Sequence, residues 1–326
     1  MKAFNVVVRL LMAGMLMGLA ASVAAQQDYP GKPIRFITPF APGGSTSIVT
    51  RLIGQKLTES WGQQVIVDNR PGGNTIIGTE VLAKSPPDGY AIILVLNSHI
   101  INPLLIANLP YDTIKDFAPV ATVVSAEYLL VISPAVPANT LQEFIALAKS
   151  KPGQLNYASG GSGGVTHLAS ELFNMTVGAK IQHIPYKGTG PALTDLMGGQ
   201  VQMYLCNPAG AIPHVKNGRL KAIAVSGKNR LQALPQVPTF EEGGLPGLNA
   251  RTWQGVLAPA GTPKPIINKL SSEMAKIMVM PDIKDKLVSQ GLQPFYSNPE
   301  QFAALMKADM AMFAKVIKAA NIKLEH

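Results

Sequence analysis

Along most of the chain, short apolar, β-branched runs alternate with stretches whose apolar residues recur at helical spacing, which predicts an α/β class with parallel sheets covered by helices. Residues 34–38 (Ile-Arg-Phe-Ile-Thr) predict a strand, the breakers Pro39, Pro42, Gly43 and Gly44 end it, and Val49, Leu52, Ile53 and Leu57 then predict a helix. Val65, Ile66 and Val67 repeat the device, leading through Arg70, Pro71, Gly72, Gly73 and Asn74 into a helix carrying Ile77, Val81 and Leu82. Residues 91–96 predict a buried strand that ends in the polar Asn97, Ser98 and His99, the place where ligands sit. Near the middle, a strand over 155–159, a loop of Gly160, Gly161, Ser162, Gly163 and Gly164, and a helix carrying Leu168, Leu172 and Phe173 repeat the unit in a second half. A strand over 220–225 is followed by a turn-rich stretch, and the extended 251–257 predicts a return crossover into the first half. The last stretch predicts mostly helix, one part carrying Ile266, Ile267 and Leu270 and the other Phe302, Leu305, Met306, Met310 and Phe313, with the methionines as core filler.

The chain's start changes the picture. Lys2 and Arg9 precede an apolar run that closes on Ser22, Val23, Ala24 and Ala25, which predicts a cleaved export leader over 1–25. The run falls short of the roughly 20 apolar residues a membrane span needs, and no cysteine stands near the cleavage point to take a lipid. About 300 residues then remain, enough for two domains with ample cores. The single cysteine, Cys206, reads as a small buried hydrophobe, with a reactive thiol as the less favoured reading. The formal charge of +9 drops by two to +7 once Lys2 and Arg9 leave. Such a surface draws in anions, while the scattered Lys and Arg positions, with no aromatic interleaving, argue against a nucleic-acid partner.

A glycine loop that opens a helix presents unpaired amides and a partial positive charge, so it binds an anion without a charged side chain. The candidates are Gly43, Gly44, Ser45, Thr46 and Ser47 in the first half and 160–166 in the second, with hydroxyls from Ser45, Thr46, Ser159 and Thr166. Either loop alone is read as an ordinary strand-to-helix turn with Ser/Thr caps; recurrence in both halves points to a shared cleft. The Gly160–Gly164 glycines also satisfy G-x-S-x-G, so a hydrolase with Ser162, Asp195 and His214 is the enzyme alternative. Asp195 and His214 are close in sequence and His214 follows Pro213 in an expected loop, which disfavours it. The histidines His99, His167, His183, His214 and His326 lack metal-site spacing, and no phosphate-binding or dinucleotide motif is present, so neither a metal nor a cofactor is expected.

The residues Tyr29-Pro30, Lys32-Pro33-Ile34-Arg35, Pro39-Phe40-Ala41-Pro42-Gly43-Gly44, Asp68-Asn69-Arg70-Pro71-Gly72-Gly73, Pro87-Asp88-Gly89-Tyr90, Asn156-Tyr157-Ala158-Ser159-Gly160, His167-Leu168 and Pro185-Tyr186-Lys187-Gly188 together resemble the Bug-type receptors of tripartite tricarboxylate transporters over essentially the whole exported chain. The resemblance implies a type II periplasmic binding fold without catalysis: two α/β lobes, 29–124 with 252–326 and 125–251, joined by two crossover hinges that close on a ligand. It implies a periplasmic location, a small carboxylate ligand, membrane transporter subunits as partners and a monomeric receptor. Carried over by position, the ligand contacts are Phe40, Gly43, Gly44, Ser45, Thr46, Ser47, Asn97, Ser98 and His99 on one side, and Ser159, Gly160, Gly161, Gly163, Thr166 and Asn207 on the other. His99 and Asn207 are read equally as residues that satisfy the core or a cap. Family members commonly carry Asp where this chain has Ser47, a difference that favours an anion without an amine, such as a di- or tricarboxylate or an aromatic acid. An extracytoplasmic sensing subunit would use the same trap.

Overall fold

The computed structural model describes residues 29–40, 45–186, 188–246, 251–289 and 291–322; the expected leader, Gly43 and Gly44 lie outside them. The chain opens with three strand–helix units: β1 (Ile34–Thr38) and α1 (Ser45–Trp61), β2 (Val65–Asn69) and α2 (Ile76–Ala83), β3 (Ala91–Leu96) and α3 (Ser98–Leu105). The long β4 (Phe117–Glu127) passes through Tyr128 into β5 (Leu129–Ile132). There follow α4 (Leu141–Ser150), β6 (Asn156–Ser159), α5 (Val165–Val177), β7 (Gln182–Pro185), α6 (Thr189–Met197), β8 (Met203–Cys206), α7 (Pro208–Lys216) and β9 (Lys221–Val225). The return is β10 (Arg251–Pro259), then α8 (Lys264–Met278), α9 (Pro281–Ser289), β11 (Gln293–Ser297) and α10 (Pro299–Ala319). No helix among the described residues is long and apolar enough to cross a membrane.

The strands assemble into a six-stranded sheet, β11-β4-β10-β3-β1-β2, and a five-stranded one, β7-β6-β8-β5-β9. β3 is buried on both faces, as a strand between helix layers must be, while β2 at the sheet edge is partly exposed. Helix starts are locally encoded. Thr140 accepts from the Glu143 amide while the Glu143 carboxylate accepts from the Asn139 amide, and Asn298 with Gln301 forms a capping box ahead of α10. β10 is the spine of the first sheet: Trp253 meets the Phe302 ring edge-on at 5.2 Å, and a Cβ at Gly255 would stand 2.2 Å from Phe302, so only glycine fits there.

Both sheets are mixed, not purely parallel as the pattern predicts. The strand–helix repeats are parallel, β1 with β2 and β3, and β6 with β7 and β8. β10 runs antiparallel to β3 and β4, β11 to β4, and β5 to β8 and β9. The cause is the double crossing: β4 leaves the first sheet at Glu127, and the chain re-enters opposite it at Arg251, so β10 must run the other way. A strand buried on both faces shows the same apolar run in either direction, so its pattern carries no sense of orientation. β11 likewise interrupts the expected helical tail as an edge strand.

The same crossing brings strand ends of the two sheets together. Leu129 at the start of β5 pairs with Cys206 at the end of β8. The carboxyl ends of β1, β2 and β3 in one sheet, and of β6, β7 and β8 in the other, are therefore gathered at the crossovers, where open α/β sheets bind their ligands.

Candidate functional site

Six helices, α1, α2, α3, α5, α6 and α7, start at those carboxyl ends, and none has an acidic residue in its first turn. By contrast α4 and α10, which follow the carboxyl ends of the antiparallel strands β5 and β11 on the sides of the sheets away from the crossovers, carry Glu143 and Glu300 there; α8, after β10, opens on Lys264 and has none. A helix N-terminus bears roughly half a positive charge, and an acid in the first turn offsets it. Around the crossovers that offset is missing, so the sheet ends present a field that favours an anion.

On the first-sheet wall, β3 turns directly into α3. The Asn97 carbonyl accepts from the Ile100 and Ile101 amides, and its Oδ1 accepts from the Trp253 amide at 3.0 Å, tying the turn to β10. Asn97 Nδ2, Ser98 Oγ, Thr38 Oγ1 at the end of β1, and Gln254 Oε1, whose residue pairs with Leu96, are buried without hydrogen-bond partners. Buried polar atoms are almost always satisfied, and these four exceptions stand together at the ends of β1 and β3 and on the β10 residue paired with the end of β3, whereas others, such as Asn174 Oδ1 and His214 Nδ1, lie elsewhere. Thr46 and Ser47 are buried in the first turn of α1, and the Thr46 carbonyl accepts from the Thr50 hydroxyl. Phe40 is half-buried and its carbonyl accepts from Asn69 Nδ2. The neighbouring β2–α2 turn holds Asn74 and Thr75 at φ 52° and 76°, left-handed values that cost a β-branched residue. Asn102 pins it, donating to the Asn74 carbonyl at 2.9 Å and accepting from Asn74 Nδ2 at 2.8 Å.

On the second-sheet wall the turn between β6 and α5 is bonded to itself. The Gly160 amide donates to Thr166 Oγ1 (2.9 Å), the Gly161 amide to Ser159 Oγ (3.2 Å) and the Gly163 amide to His167 Nδ1 (3.0 Å). Gly161 and Gly163 take φ of 147° and 71°, which other residues adopt only under strain. Ser159 Oγ also meets His183 Nε2 at 2.6 Å. The glycine amides expected to face a ligand are thus spent within the loop. The donors this wall offers an anion are the opening amides of α5, which have no acceptor inside the helix; the cap residue Gly164 brings none from a side chain.

Of the remaining expected contacts, His99 belongs to the core. It is buried, bonds the Thr113 carbonyl through Nε2 and packs against Tyr111 and Phe117, and burial holds its imidazole down to about 4. Asn207 stands between β8 and α7. Cys206 is buried and free, its thiol pushed up to about 12 by desolvation. The hydrolase set does not assemble: Asp195 accepts from the Tyr186 hydroxyl at 2.8 Å, while His214 lies within α7, not in a loop, and its Nδ1 has no hydrogen-bond partner. Among the described residues no cluster of His, Cys, Asp or Glu side chains is placed to hold a metal ion. Thr38, Asn102, His167, His183 and Gln254 were not singled out from the sequence as site residues: Thr38 closes β1, but Asn102 and His167 lie inside helices and His183 and Gln254 inside strands, where no local signal marks them.

A family model described as the tripartite tricarboxylate transporter family receptor matches residues 49–322. The chain is 36% identical to the protein BugT of Bordetella pertussis over 310 residues, 94% of this chain and 95% of that one. It is similar to the solved periplasmic binding protein BugD, at 30% identity and a TM-score of 0.74, covering 91% of this chain and 100% of the other. It is also similar to the R. palustris protein Rpa4515 solved with adipate, at 31% identity and a TM-score of 0.77, covering 90% of this chain and 99% of that chain.

Proposed function

Because this chain belongs to the tripartite tricarboxylate transporter receptor family, we propose that it captures a small carboxylate without an amine, a dicarboxylate first of all, by closing its two lobes. The lobes divide near residues 125 and 251, and closure bends the two crossovers between the sheets. The loaded protein then presents the acid, as a periplasmic monomer released from its leader, to the membrane subunits of a tripartite transporter. Receptors of this family bind solutes and are not enzymes.

The observation that carries the ligand class is the ring of acid-free helix starts at the carboxyl ends of both sheets. One carboxylate would meet Asn97 Nδ2, Ser98 and the start of α1, where Ser47 supplies no negative charge; the other would meet the opening amides of α5. A dicarboxylate spans both walls, and a ligand favours the closed form only through contacts it makes there and not in the open form. Adipate, which Rpa4515 was solved with, has this chemistry. Tricarboxylates and aromatic acids keep the same anionic contact and stand second.

The test is a thermal-shift and calorimetric screen of adipate, malate, citrate, benzoate and zwitterionic amino acids. A ligand at 100 times its dissociation constant adds about 2.7 kcal/mol of stability. A rise confined to dicarboxylates is the expected result; tight binding of an amino acid with none for matched dicarboxylates would overturn the proposed class.

A further inference from the structure

Strand and helix periodicities bring one ionisable cluster beneath the second-sheet wall. Tyr157 and Ser159 lie two apart on β6 and so share a sheet face, and His183 on β7 is the register partner of Tyr157. α5 covers that face, and His167 and Glu171, four apart, share its inner side. His167 and His183 stack at 3.7 Å with their planes 13° apart, Tyr157 stacks on His183 at 5.1 Å, and its hydroxyl donates to Glu171 at 2.5 Å.

We propose that His167 and His183 are positioning residues for ligand capture, a neutral stacked pair that holds the 160–164 turn in its ligand-receiving shape without touching the ligand. This rests on the turn being one wall of the ligand cleft.

The hydrogen bonds dictate the tautomers. His167 Nδ1 accepts from the Gly163 amide, so its proton is on Nε2. Ser159 Oγ accepts from the Gly161 amide and donates to the Gly161 carbonyl at 3.1 Å, so its contact with His183 is met when His183 Nε2–H donates. A proton added to His167 Nδ1 turns the acceptor of Gly163 into a second donor and releases that amide. Burial opposes this at both rings, and at His167 the neighbouring His183 opposes it further, holding both near 4. The other ionisable groups of the cluster are Tyr157, raised by burial, and Glu171, also raised by burial.

The experiment compares the full chain with His167→Phe, His167→Asn and Gly161→Val, reading Gly163 amide exchange by NMR without ligand and adipate affinity by calorimetry. Phenylalanine keeps the stack but offers no acceptor; asparagine returns an oxygen close to the Nδ1 position. In His167→Phe the Gly163 amide should exchange at least about tenfold faster and adipate should bind about tenfold more weakly, the loss of one hydrogen bond, with His167→Asn recovering most of both. Unchanged exchange, or faster exchange at unchanged affinity, overturns the inference. If Gly161→Val binds adipate normally, the cleft reading itself fails; if it loses adipate while His167→Phe does not, only the positioning role fails. Should His167→Phe not fold, the double variant His167→Asn with His183→Gln decides. Its adipate affinity should decline less than that of the unsubstituted chain between pH 7 and pH 4, and identical pH profiles would sink the proposal.

Discussion

At the β6–α5 turn the amides of Gly160, Gly161 and Gly163 are each engaged by a neighbouring side chain, whereas at the end of β3 Asn97 Nδ2 and Ser98 Oγ are buried with no partner at all. The second-sheet wall is rigid because its polar groups satisfy one another; the first-sheet wall holds its unmet donors and acceptors in reserve. A ligand gains most from groups not already bonded, since a bond exchanged for another contributes little while an unmet buried group costs about 1–3 kcal/mol. Under the proposed function, the second lobe then supplies shape and the first supplies binding energy. The walls also differ chemically, because the rigid wall depends on neutral imidazoles while Thr38, Asn97, Ser98 and Gln254 do not titrate.

Acid gives the largest expected effect and reaches both lobes, because His99 lies in α3 of the first and His167 and His183 lie in the second. His99, His167 and His183 are all held near 4 by burial, below their ordinary value of 6.5. In that window the unfolded chain binds protons that the folded chain does not, so their stabilisation is complete above about pH 6.5 and is lost as pH falls towards 4. The fully buried His99 alone contributes a slope of about 1.4 kcal/mol per pH unit there. Denaturant midpoints measured from pH 7 to pH 4 check this; a flat profile would mean that the imidazoles are not buried as described.

Next in size is Ser159→Ala, which strands the Gly161 amide and His183 together. It should lower unfolding stability by about 1–3 kcal/mol, measurable by urea denaturation. The matching change on the other wall, Ser98→Ala, removes an unpartnered hydroxyl. Stability should hold within about 0.5 kcal/mol while adipate affinity drops severalfold. Equal stability losses in the two variants would erase the distinction between the walls.

Much of this was legible in the sequence. The apolar runs at 34–38 and 91–96 gave their strands, and the glycines at 160–164 gave the turn, because local propensity and chain breakers decide those features. Strand direction was not legible, since β10 is antiparallel only because the chain re-enters where it left. The His167–His183 stack was hidden for a related reason: Ser159 and His183 meet through the register of β6 on β7, which no local pattern encodes. His99 stayed open in the sequence because a polar residue after a strand looks the same whether it faces the cleft or, as here, packs on Tyr111 and Phe117. Ser159 and the amides of Gly160, Gly161 and Gly163, expected from the sequence as ligand contacts, form their bonds within the turn.

The most direct test of an anion held between the two walls is a crystal structure of the protein grown with adipate. The account predicts one carboxylate within hydrogen-bond distance of Asn97 Nδ2 and the other at the opening amides of α5, with the 160–164 turn unchanged. Adipate bound to one wall alone, or away from the carboxyl ends of the strands, would contradict it.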